Sequence, residues 1–250
     1  MKPEIQRRLL ELNARFYAEN AGSFSATRQR IQPGMARSLT EWFTARGGIA
    51  ASAGLHLLDL GCGNGNLAAW LAGQGFQGYY TGLDQSPGLL ECASGIPQRM
   101  AFQSADLSKP DWLAELPTRP FDLVTCFAVL HHLPGEGLRL RLLREIKRLL
   151  APEGNFILSV WQVHRSPRLV KRIQPWSSAG LDAADLDEGD VLLDWRAGGG
   201  ADSQALRYVH VLNEAELKRL AEKSSFQIQQ SWASDGREGC LGLYQVWSRA

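Results

Sequence analysis

Residues 57–67 read Leu-Leu-Asp-Leu-Gly-Cys-Gly-Asn-Gly-Asn-Leu, and this stretch decides the fold. An apolar run ends at Asp59, glycines occupy positions 61, 63 and 65, and a helical pattern begins at Leu67. Glycines in a sharp turn from strand to helix let the backbone approach a ligand closely. The spacing is G-x-G-x-G, which differs from the G-x-G-x-x-G of dinucleotide-binding turns. An acid at the strand end also suits a cationic ligand better than a pyrophosphate, so the stretch predicts a different cofactor.

A second strand is predicted at Tyr79–Asp84, and it also ends in a carboxylate. Asp84 follows the glycine turn by about 20 residues, where an acid at the end of the next strand can hold both hydroxyls of a nucleoside ribose. Ser86 and Pro87 are typical of a helix start, as cap and first-turn residue. The glycine turn and Asp84 together predict a nucleoside-binding site.

Strand and helix patterns continue to alternate along the chain. They predict a third strand at 102–106, a fourth at 121–127, a helix at about 136–150 and a fifth strand at 155–161. Such alternation predicts an α/β fold with a doubly wound, mainly parallel sheet. Ligands of such sheets bind beyond the carboxyl ends of the strands, where Asp59, Asp84 and Asp106 all lie. Asp106 could alternatively cap a helix at 110–116.

The chain divides into four predicted regions. These are an N-terminal helical cap at 1–50, a cofactor-binding core at 51–161, an insertion at 162–206, and a C-terminal helix and hairpin at 207–250. The cap is predicted to hold helices at 4–20 and 34–46. The C-terminal region predicts a helix at 214–223 and strands near 225–233 and 240–249, which bring the sheet to seven strands.

The insertion at 162–206 lacks periodicity and includes Gly198-Gly199-Gly200. It is predicted to be partly helical and partly mobile, as a lid over the open end of the sheet. Its basic run at 165–172 is followed by acidic residues, which favours a solvated, neutralised face over an RNA groove.

Composition sets limits on the function. The chain has 250 residues, of which 44% are hydrophobic, and a net charge of +1. This charge gives no global signature of nucleic-acid binding, and DNA is not an expected partner. No apolar run has membrane-spanning length and the N-terminus has no signal-peptide core, so no membrane association is expected. The four scattered cysteines lack metal-ligand spacing, which favours reduced thiols in the cytoplasm and no metal site.

With its acid before a G-x-G-x-G turn and an acid on the next strand, the core resembles the class I S-adenosylmethionine-dependent methyltransferases. That resemblance implies a Rossmann-like methyltransferase fold with the C-terminal hairpin, and S-adenosyl-L-methionine as cofactor. It places Asp59 and the backbone of Cys126 or Phe127 near the methionine ammonium, and Asp106 near the adenine amino group. The expected cofactor-binding residues are Asp59, Gly61, Cys62, Gly63, Gly65, Asp84, Gln85, Asp106, Leu107, Cys126 and Phe127.

The flanking segments resemble one family more narrowly, the tRNA wobble-uridine carboxymethyl methyltransferases. The motifs that carry this resemblance are Phe16-Tyr17, Phe24-Ser25-x-Thr27-Arg28, Trp161, Gly189-Asp190-Val191-Leu192-Leu193-Asp194-Trp195, and Arg207-Tyr208-x-His210 followed by Glu216-Leu217. The chain has Gln32-Pro33 where that family usually has tryptophan before proline, and it has no basic tail. The resemblance implies tRNA modification, with methylation of a carboxylate to its ester.

Two sets of residues are candidates for contact with the methyl acceptor. His131 and His132 follow the fourth strand, and either could act as a base for a phenol or amine. A carboxylate acceptor is already ionised and needs positioning by arginine instead. The candidate catalytic residues are His131, His132, Arg28, Arg207, Tyr208 and His210. The shortage of other bases favours the carboxylate.

Other functions remain open on sequence alone. One alternative is a small-molecule methyltransferase with a pocket that residues 162–206 cover, and the near-neutral charge favours it. A second is a non-catalytic scaffold that binds the cofactor. A nicotinamide-binding oxidoreductase is disfavoured by the glycine spacing and the hairpin. A partner subunit could supply contacts to tRNA, but the sequence does not identify one.

Overall fold

The computed structural model describes residues 1–93, 97, 99–114, 116–195 and 205–250. The strands in this part of the chain are β1 (His56–Leu60), β2 (Tyr79–Asp84), β3 (Met100–Ser104), β4 (Phe121–Phe127), β5 (Leu150–Trp161), β6 (Ile173–Gln174), β7 (Asp190–Trp195), β8 (Ala205–His210), β9 (Phe226–Ser234) and β10 (Gly242–Arg249). The α-helices are α1 (Pro3–Ala26), α2 (Pro33–Thr44), α3 (Asn66–Gly73), α4 (Pro87–Leu90), α5 (Glu136–Leu149), α6 (Pro167–Val170) and α7 (Glu214–Lys223).

Within these described residues, seven strands form one sheet in the order β3-β2-β1-β4-β5-β10-β9. Strands β1 to β5 pair in parallel, whereas β10 is antiparallel to both β5 and β9. The winding direction reverses between β1 and β4, which opens a crevice beyond their carboxyl ends. The predicted Rossmann-like methyltransferase fold with a C-terminal hairpin is therefore confirmed.

Alternating side chains of the strands pack on opposite faces of the sheet. Leu58 and Leu60 of β1 share one apolar cluster with residues of α5 and α7. Leu57, the residue before Leu58, points to the other face and belongs to a second cluster with residues of α2 and α3. Both clusters remove large apolar areas from water, which is the main force that holds helices to the two faces. The strand ends are thereby fixed as a rigid base for the crevice.

A second sheet, β6-β7-β8, is antiparallel and was not predicted. Its strands β6 and β7 lie within the insertion at 162–206, which was expected to be partly helical and partly mobile. Leu192 packs against the apolar face of α1, whereas Val191 and Leu193 pack against a cluster that includes Val163 and Leu169. Burial on both faces thus turns an irregular-looking stretch into a strand. The triple glycine at 198–200 lies outside the described residues.

Two predicted helices differ from the structure. Helix α1 extends to Ala26 instead of residue 20, so the Phe24-Ser25 motif belongs to its last turn. The helix expected at 110–116 is absent from the described residues there, which form turns. Pro110 and Pro117 bound that short segment, and proline restricts the residue before it to extended backbone. In the described part of the chain, no helix has the length and apolar character needed to cross a membrane.

Candidate active site

The glycine turn connects the end of β1 to α3. Gly61, Gly63 and Gly65 have φ values of 72°, 55° and 72°. Residues that carry a side chain rarely adopt this region of backbone conformation. A Cβ at Gly61 would lie 2.2 Å from Cγ2 of Val129, whereas one at Gly63 would meet no atom within 4 Å. Gly63 lines a cavity, so its exposed backbone faces the space where a ligand can approach.

Asp84 ends β2 beside this turn. Its Oδ2 accepts the Gly63 N–H at 2.9 Å, and its Oδ1 accepts the Ser86 N–H at 2.9 Å. Burial raises the pKa of the Asp84 carboxyl, although these backbone N–H groups oppose the shift. The backbone N–H of Gln85 also favours the ionised carboxylate, which accepts about four hydrogen bonds and so has capacity left for a ligand. Asp84 can therefore accept hydrogen bonds from two adjacent hydroxyls.

The cavity beyond the strand ends has a volume of about 880 Å³. Its walls come from the glycine turn, the second half of α1, the β9–β10 turn and the β6-β7-β8 sheet with α6. The predicted site residues that line it are Arg28, Asp59, Gly61, Cys62, Gly63, Asp84, Gln85, Asp106, Leu107, Phe127, His132 and Arg207. A cavity of this size accommodates a nucleoside cofactor together with a second ligand.

Asp59 reaches the cavity but both of its oxygens already have partners in the protein. Tyr80 donates its hydroxyl to Oδ2 and Thr125 donates its hydroxyl to Oδ1, each at 2.7 Å. Burial raises the Asp59 pKa to about 6 despite these hydrogen bonds. Cys126, which was expected near the methionine ammonium, is fully buried and is not part of the cavity wall, whereas Phe127 is.

The residues expected around the adenine lie on one side of the cavity. Asp106 follows β3, and its Oδ1 accepts the Ser108 N–H at 2.9 Å. Lys109 lies 3.8 Å from the other oxygen of Asp106. Leu107 and Gln85 line the same side. The cluster offers a carboxylate and apolar surface to a flat ring.

His132 is held in one tautomer by its neighbours. Its Nδ1 lies 2.9 Å from the carbonyl oxygen of Tyr208, which can only accept a hydrogen bond, so Nδ1 carries the hydrogen. Its Nε2 therefore accepts the hydroxyl of Tyr17 at 2.9 Å. Burial and the charge of Arg207 lower the His132 pKa to about 3. His132 is a neutral imidazole with both nitrogens in use.

His131 points away from the cavity. It is fully buried, and its Nδ1 accepts the backbone N–H of Trp161 at 3.2 Å. Burial, followed by the neighbouring His132, lowers its pKa well below the usual value. The geometry gives His131 a packing position behind the cavity wall.

Arg207 is a buried guanidinium surrounded by aromatic rings. Its side chain is on β8, and the residue is only 3% exposed. Its Cζ lies 4.5 Å from the ring centroid of Trp161, 5.2 Å from that of Phe16 and 5.5 Å from that of Trp195. Among the described residues, Nε and Nη1 have no hydrogen-bond partner and no carboxylate forms an ion pair with it. A buried charge of this kind is costly unless a ligand pairs with it.

Arg28 lies between the glycine turn and Arg207. Asn64, within the glycine turn, donates its side-chain amide to the Arg28 carbonyl oxygen at 3.0 Å and to Oγ of Ser25 at 3.1 Å. The Arg28 guanidinium stacks 3.8 Å from the ring centroid of Phe24. Burial, followed by the charge of Arg207, lowers the Arg28 pKa to about 10. The two arginines thus place adjacent positive charges in one cavity.

Tyr208 and His210 belong to another cluster on the far side of β8. His210 lies 2.7 Å from Asp190 through Nδ1 and 2.9 Å from Glu216 through Nε2. Tyr208 donates its hydroxyl to Asp190 at 2.8 Å. Neither residue lines the cavity that holds Arg207. In the motif Arg207-Tyr208-x-His210, the side chain of Arg207 lies at the candidate site, and those of Tyr208 and His210 do not.

Two kinds of residue at the site were not predicted from the sequence. Asn13 of α1 donates to the carbonyl oxygen of Tyr208 at 3.2 Å and accepts its N–H at 2.7 Å, so it fixes β8 next to Arg207. Its only signal is a polar residue within the apolar stripe of an amphipathic helix. Arg168 and Arg172, which were assigned to a solvated face, line the cavity.

The residues on the cofactor side fit an adenosyl group. Gly63 presents open backbone, Asp84 presents acceptor positions for two ribose hydroxyls, and Asp106 and Leu107 offer a polar and an apolar contact for a base. The opposite side of the cavity, around Arg207, is cationic. These two sides meet at Tyr17, His132 and Phe127, which line the space between them.

Comparison with known proteins identifies the family of this chain. A family model described as a methyltransferase domain matches residues 27–231. The chain is 33% identical over 217 residues to a methyltransferase-like protein of Encephalitozoon cuniculi (strain GB-M1), with 86% of each chain covered. It is 33% identical over 180 residues to a trans-aconitate 2-methyltransferase of Methylobacterium nodulans, covering 67% of this chain and 66% of that one.

Solved structures share the fold. The DhpI complex with SAM and HEP superposes with a TM-score of 0.62 at 19% identity, covering 96% of this chain and 97% of that one. An S-adenosylmethionine-dependent methyltransferase from Clostridium acetobutylicum ATCC 824 superposes with a TM-score of 0.58 at 13% identity, covering 84% and 90%. At these identities the likeness concerns architecture alone.

Proposed function

Because this chain belongs to the methyltransferase-domain family and is a class I S-adenosylmethionine-dependent methyltransferase, we propose that it methylates a carboxylate oxygen of its acceptor to form an ester. The observation that carries this proposal is the buried Arg207, which has no carboxylate partner among the described residues and lines the cavity. An ionised carboxylate is the group that an arginine fork binds best.

S-adenosyl-L-methionine held by the glycine turn and Asp84 would supply an activated methyl group with a neutral thioether as leaving group. A carboxylate already carries the attacking lone pair, so no residue has to remove a proton. The protein has to align the oxygen and exclude water. Arg207 and Arg28 are placed to orient the acceptor, and Phe16, Trp161 and Trp195 keep the guanidinium of Arg207 dry.

The state of the two histidines supports a carboxylate over a phenol or an amine. His132 is the histidine of this pair that lines the cavity, and its Nε2 already accepts the hydroxyl of Tyr17. With a pKa of about 3, it would be a weak base for a phenol. His131 is buried behind the wall. The described cavity therefore suits an acceptor that needs no general base.

For the identity of the acceptor, we favour the carboxymethyl group of a modified wobble uridine in tRNA. The support is the set of flanking motifs, of which Tyr17, Arg28, Trp161 and Arg207 line one cavity and Phe16 packs against Arg207.

The cysteines in the described structure are free thiols, which favours a reducing compartment such as the cytoplasm.

A small tricarboxylic acid is the second candidate acceptor. Two specific observations favour it: the similarity to a protein named trans-aconitate 2-methyltransferase, and a net charge of only +1. Tight tRNA binding normally relies on many phosphate contacts, which a near-neutral protein lacks unless a partner supplies them.

Nucleoside mass spectrometry of tRNA from cells with and without this protein tests the first candidate. We expect the ester of carboxymethyluridine to disappear without the protein and to return with the wild type. Arg28→Ala and Arg207→Ala should not restore it, although both should still bind S-adenosylmethionine in calorimetry. An unchanged ester level would exclude the tRNA acceptor, and ester formation on purified trans-aconitate would then select the second candidate.

A further inference from the structure

The cavity is electrostatically divided. On the cofactor side, Asp59 lies in β1, Asp84 ends β2 and Asp106 follows β3. Two further carboxylates, Asp194 of β7 and Asp235 of the β9–β10 turn, also line the cavity.

Five of the described arginines line the cavity. Arg30 is exposed on the segment between α1 and α2, and the other four, which we call the arginine side, are Arg28, Arg168, Arg172 and Arg207. Arg28 follows the end of α1, Arg168 belongs to α6, Arg172 precedes β6 and Arg207 belongs to β8. Such a concentration of one charge sign in a concave site attracts ligands of the opposite sign.

Within the described residues, one member of the arginine side has a carboxylate partner. Arg172 lies 3.4 Å from the fully buried Asp194. The other three, Arg28, Arg168 and Arg207, form no ion pair with a described carboxylate. Their charges act on one another, since Arg168 opposes protonation of both Arg28 and Arg207. These three cationic groups are close enough to interact with one another. A bound ligand would therefore have to supply the anions that pair with them.

The number of charges exceeds what one acceptor carboxylate can match. If Arg207 and Arg28 together hold the carboxylate that is methylated, its single negative charge is already matched. Arg168 is then left without a partner. It is exposed on α6 at the mouth of the cavity, next to the buried Leu169, which also lines the wall.

We propose that the acceptor carries a second anionic group, which binds Arg168 at the mouth of the cavity while the methylated carboxylate binds Arg207 inside. This inference rests on the proposed function, because it takes the inner anion to be the methyl acceptor. The second group is a carboxylate or a phosphate. It is either another carboxylate of a small acid or the 5′-phosphate of the nucleotide that bears the carboxymethyl group.

Two pairs of probes separate these sources. One pair is 5-carboxymethyluridine and its 5′-monophosphate, and the other is crotonate and trans-glutaconate, which differ by one carboxylate. Each probe is added to enzyme saturated with S-adenosylhomocysteine. In calorimetry, we expect the member with the additional anion to bind at least about 10-fold more tightly in one of the two pairs, the gain of one charge-assisted contact. The pair that shows the difference identifies the source.

Arg168→Gln should reduce that difference to about twofold or less, and Arg168→Lys should retain most of it. The matched control is Arg165→Gln. It removes the same charge from an exposed arginine of the same segment that does not line the cavity. It should leave the difference unchanged. Because Arg168 is exposed, its variants should fold, and their affinity for S-adenosylhomocysteine checks this.

Several results would overturn the proposal that the acceptor carries a second anionic group. These are equal binding within both pairs, no binding of any of the four probes, or equal losses in Arg168→Gln and Arg165→Gln. Ester formation on the same probes separates this failure from that of the proposed function. Esters formed equally well on both members of each pair would refute the second anion and retain the carboxylate acceptor. A preserved binding preference without any ester would retain the second anion and refute the carboxylate as the methyl acceptor.

Discussion

The hydroxyl of Tyr17 donates a hydrogen bond to Nε2 of His132, 115 positions later in the chain, at 2.9 Å. This contact uses the nitrogen that a catalytic base would need. The other nitrogen donates to the Tyr208 carbonyl oxygen, so the imidazole links α1 to β8. His132 therefore acts on Arg207 through the strand that carries it, as a positioning residue.

The rate of methyl transfer should not depend on a histidine base. Since the His132 pKa is about 3, this residue is neutral throughout pH 5–9. We expect kcat to be constant between about pH 6 and 9 and to fall only near the acceptor carboxyl pKa of about 4. His132→Gln should keep this profile while raising KM. A tenfold rise in kcat per pH unit around 6.5 in the wild type, lost in His132→Gln, would show that His132 is a base after all.

Removal of the Arg207 charge should stabilise the fold and abolish activity. An unpaired buried guanidinium costs free energy, so Arg207→Met should increase the free energy of unfolding by about 1 kcal/mol or more. The same variant should lower kcat/KM by at least about 100-fold, since a buried partner of a charged group is lost. Chemical denaturation and steady-state kinetics measure the two effects.

Arg172→Met is the matched control for that substitution. Arg172 lies 3.4 Å from the buried Asp194, so its loss weakens a charge pair and should lower stability. Equal stability changes in Arg172→Met and Arg207→Met would mean that Arg207 also has a partner in the free enzyme.

Asp84→Ala should weaken S-adenosylmethionine binding by about 1–3 kcal/mol, because the ribose hydroxyls lose a charged acceptor. Asp84→Asn keeps the shape, but its NH2 group would face the N–H of either Gly63 or Ser86, so it should weaken binding as well. Isothermal titration calorimetry with S-adenosylmethionine and with NAD measures both the loss and the cofactor preference. Binding of NAD without binding of S-adenosylmethionine would contradict the assignment of this site.

The stability of the fold should depend on His210 in the neutral range. Burial by itself lowers the His210 pKa, but hydrogen bonds to Asp190 and Glu216 outweigh it and raise the pKa above 6.5. A raised pKa in the folded state contributes stability that is complete below the unfolded-state value of about 6.5 and is lost as the pH rises through the folded-state value.

The thermal melting temperature of the wild type should accordingly decline above pH 6.5 more steeply than that of His210→Gln. Parallel curves for the two proteins would show that His210 does not titrate in this interval. Activity is not expected to follow the same curve, because His210 lies outside the cavity.

The cofactor side could be predicted because its parts are local. Gly63 and Asp84 lie 21 positions apart and meet because consecutive parallel strands end at the same edge. The arginine side could not be predicted in the same way. Arg168 and Arg172 read as a solvated basic run, and only the pairing of β6 with β7 turns them towards the cavity. A polar pattern in sequence does not reveal which sheet will later enclose it.

Asn13 of α1 and Tyr208 of β8 exchange hydrogen bonds across 195 positions of the chain. Closing a loop of that length costs more chain entropy than forming the glycine turn, and contacts between distant segments form late. The two halves of the cavity therefore differ in the loops that must close: the Gly63–Asp84 contact joins neighbouring strands, whereas the half that carries Arg207 requires the beginning of the chain to meet β8.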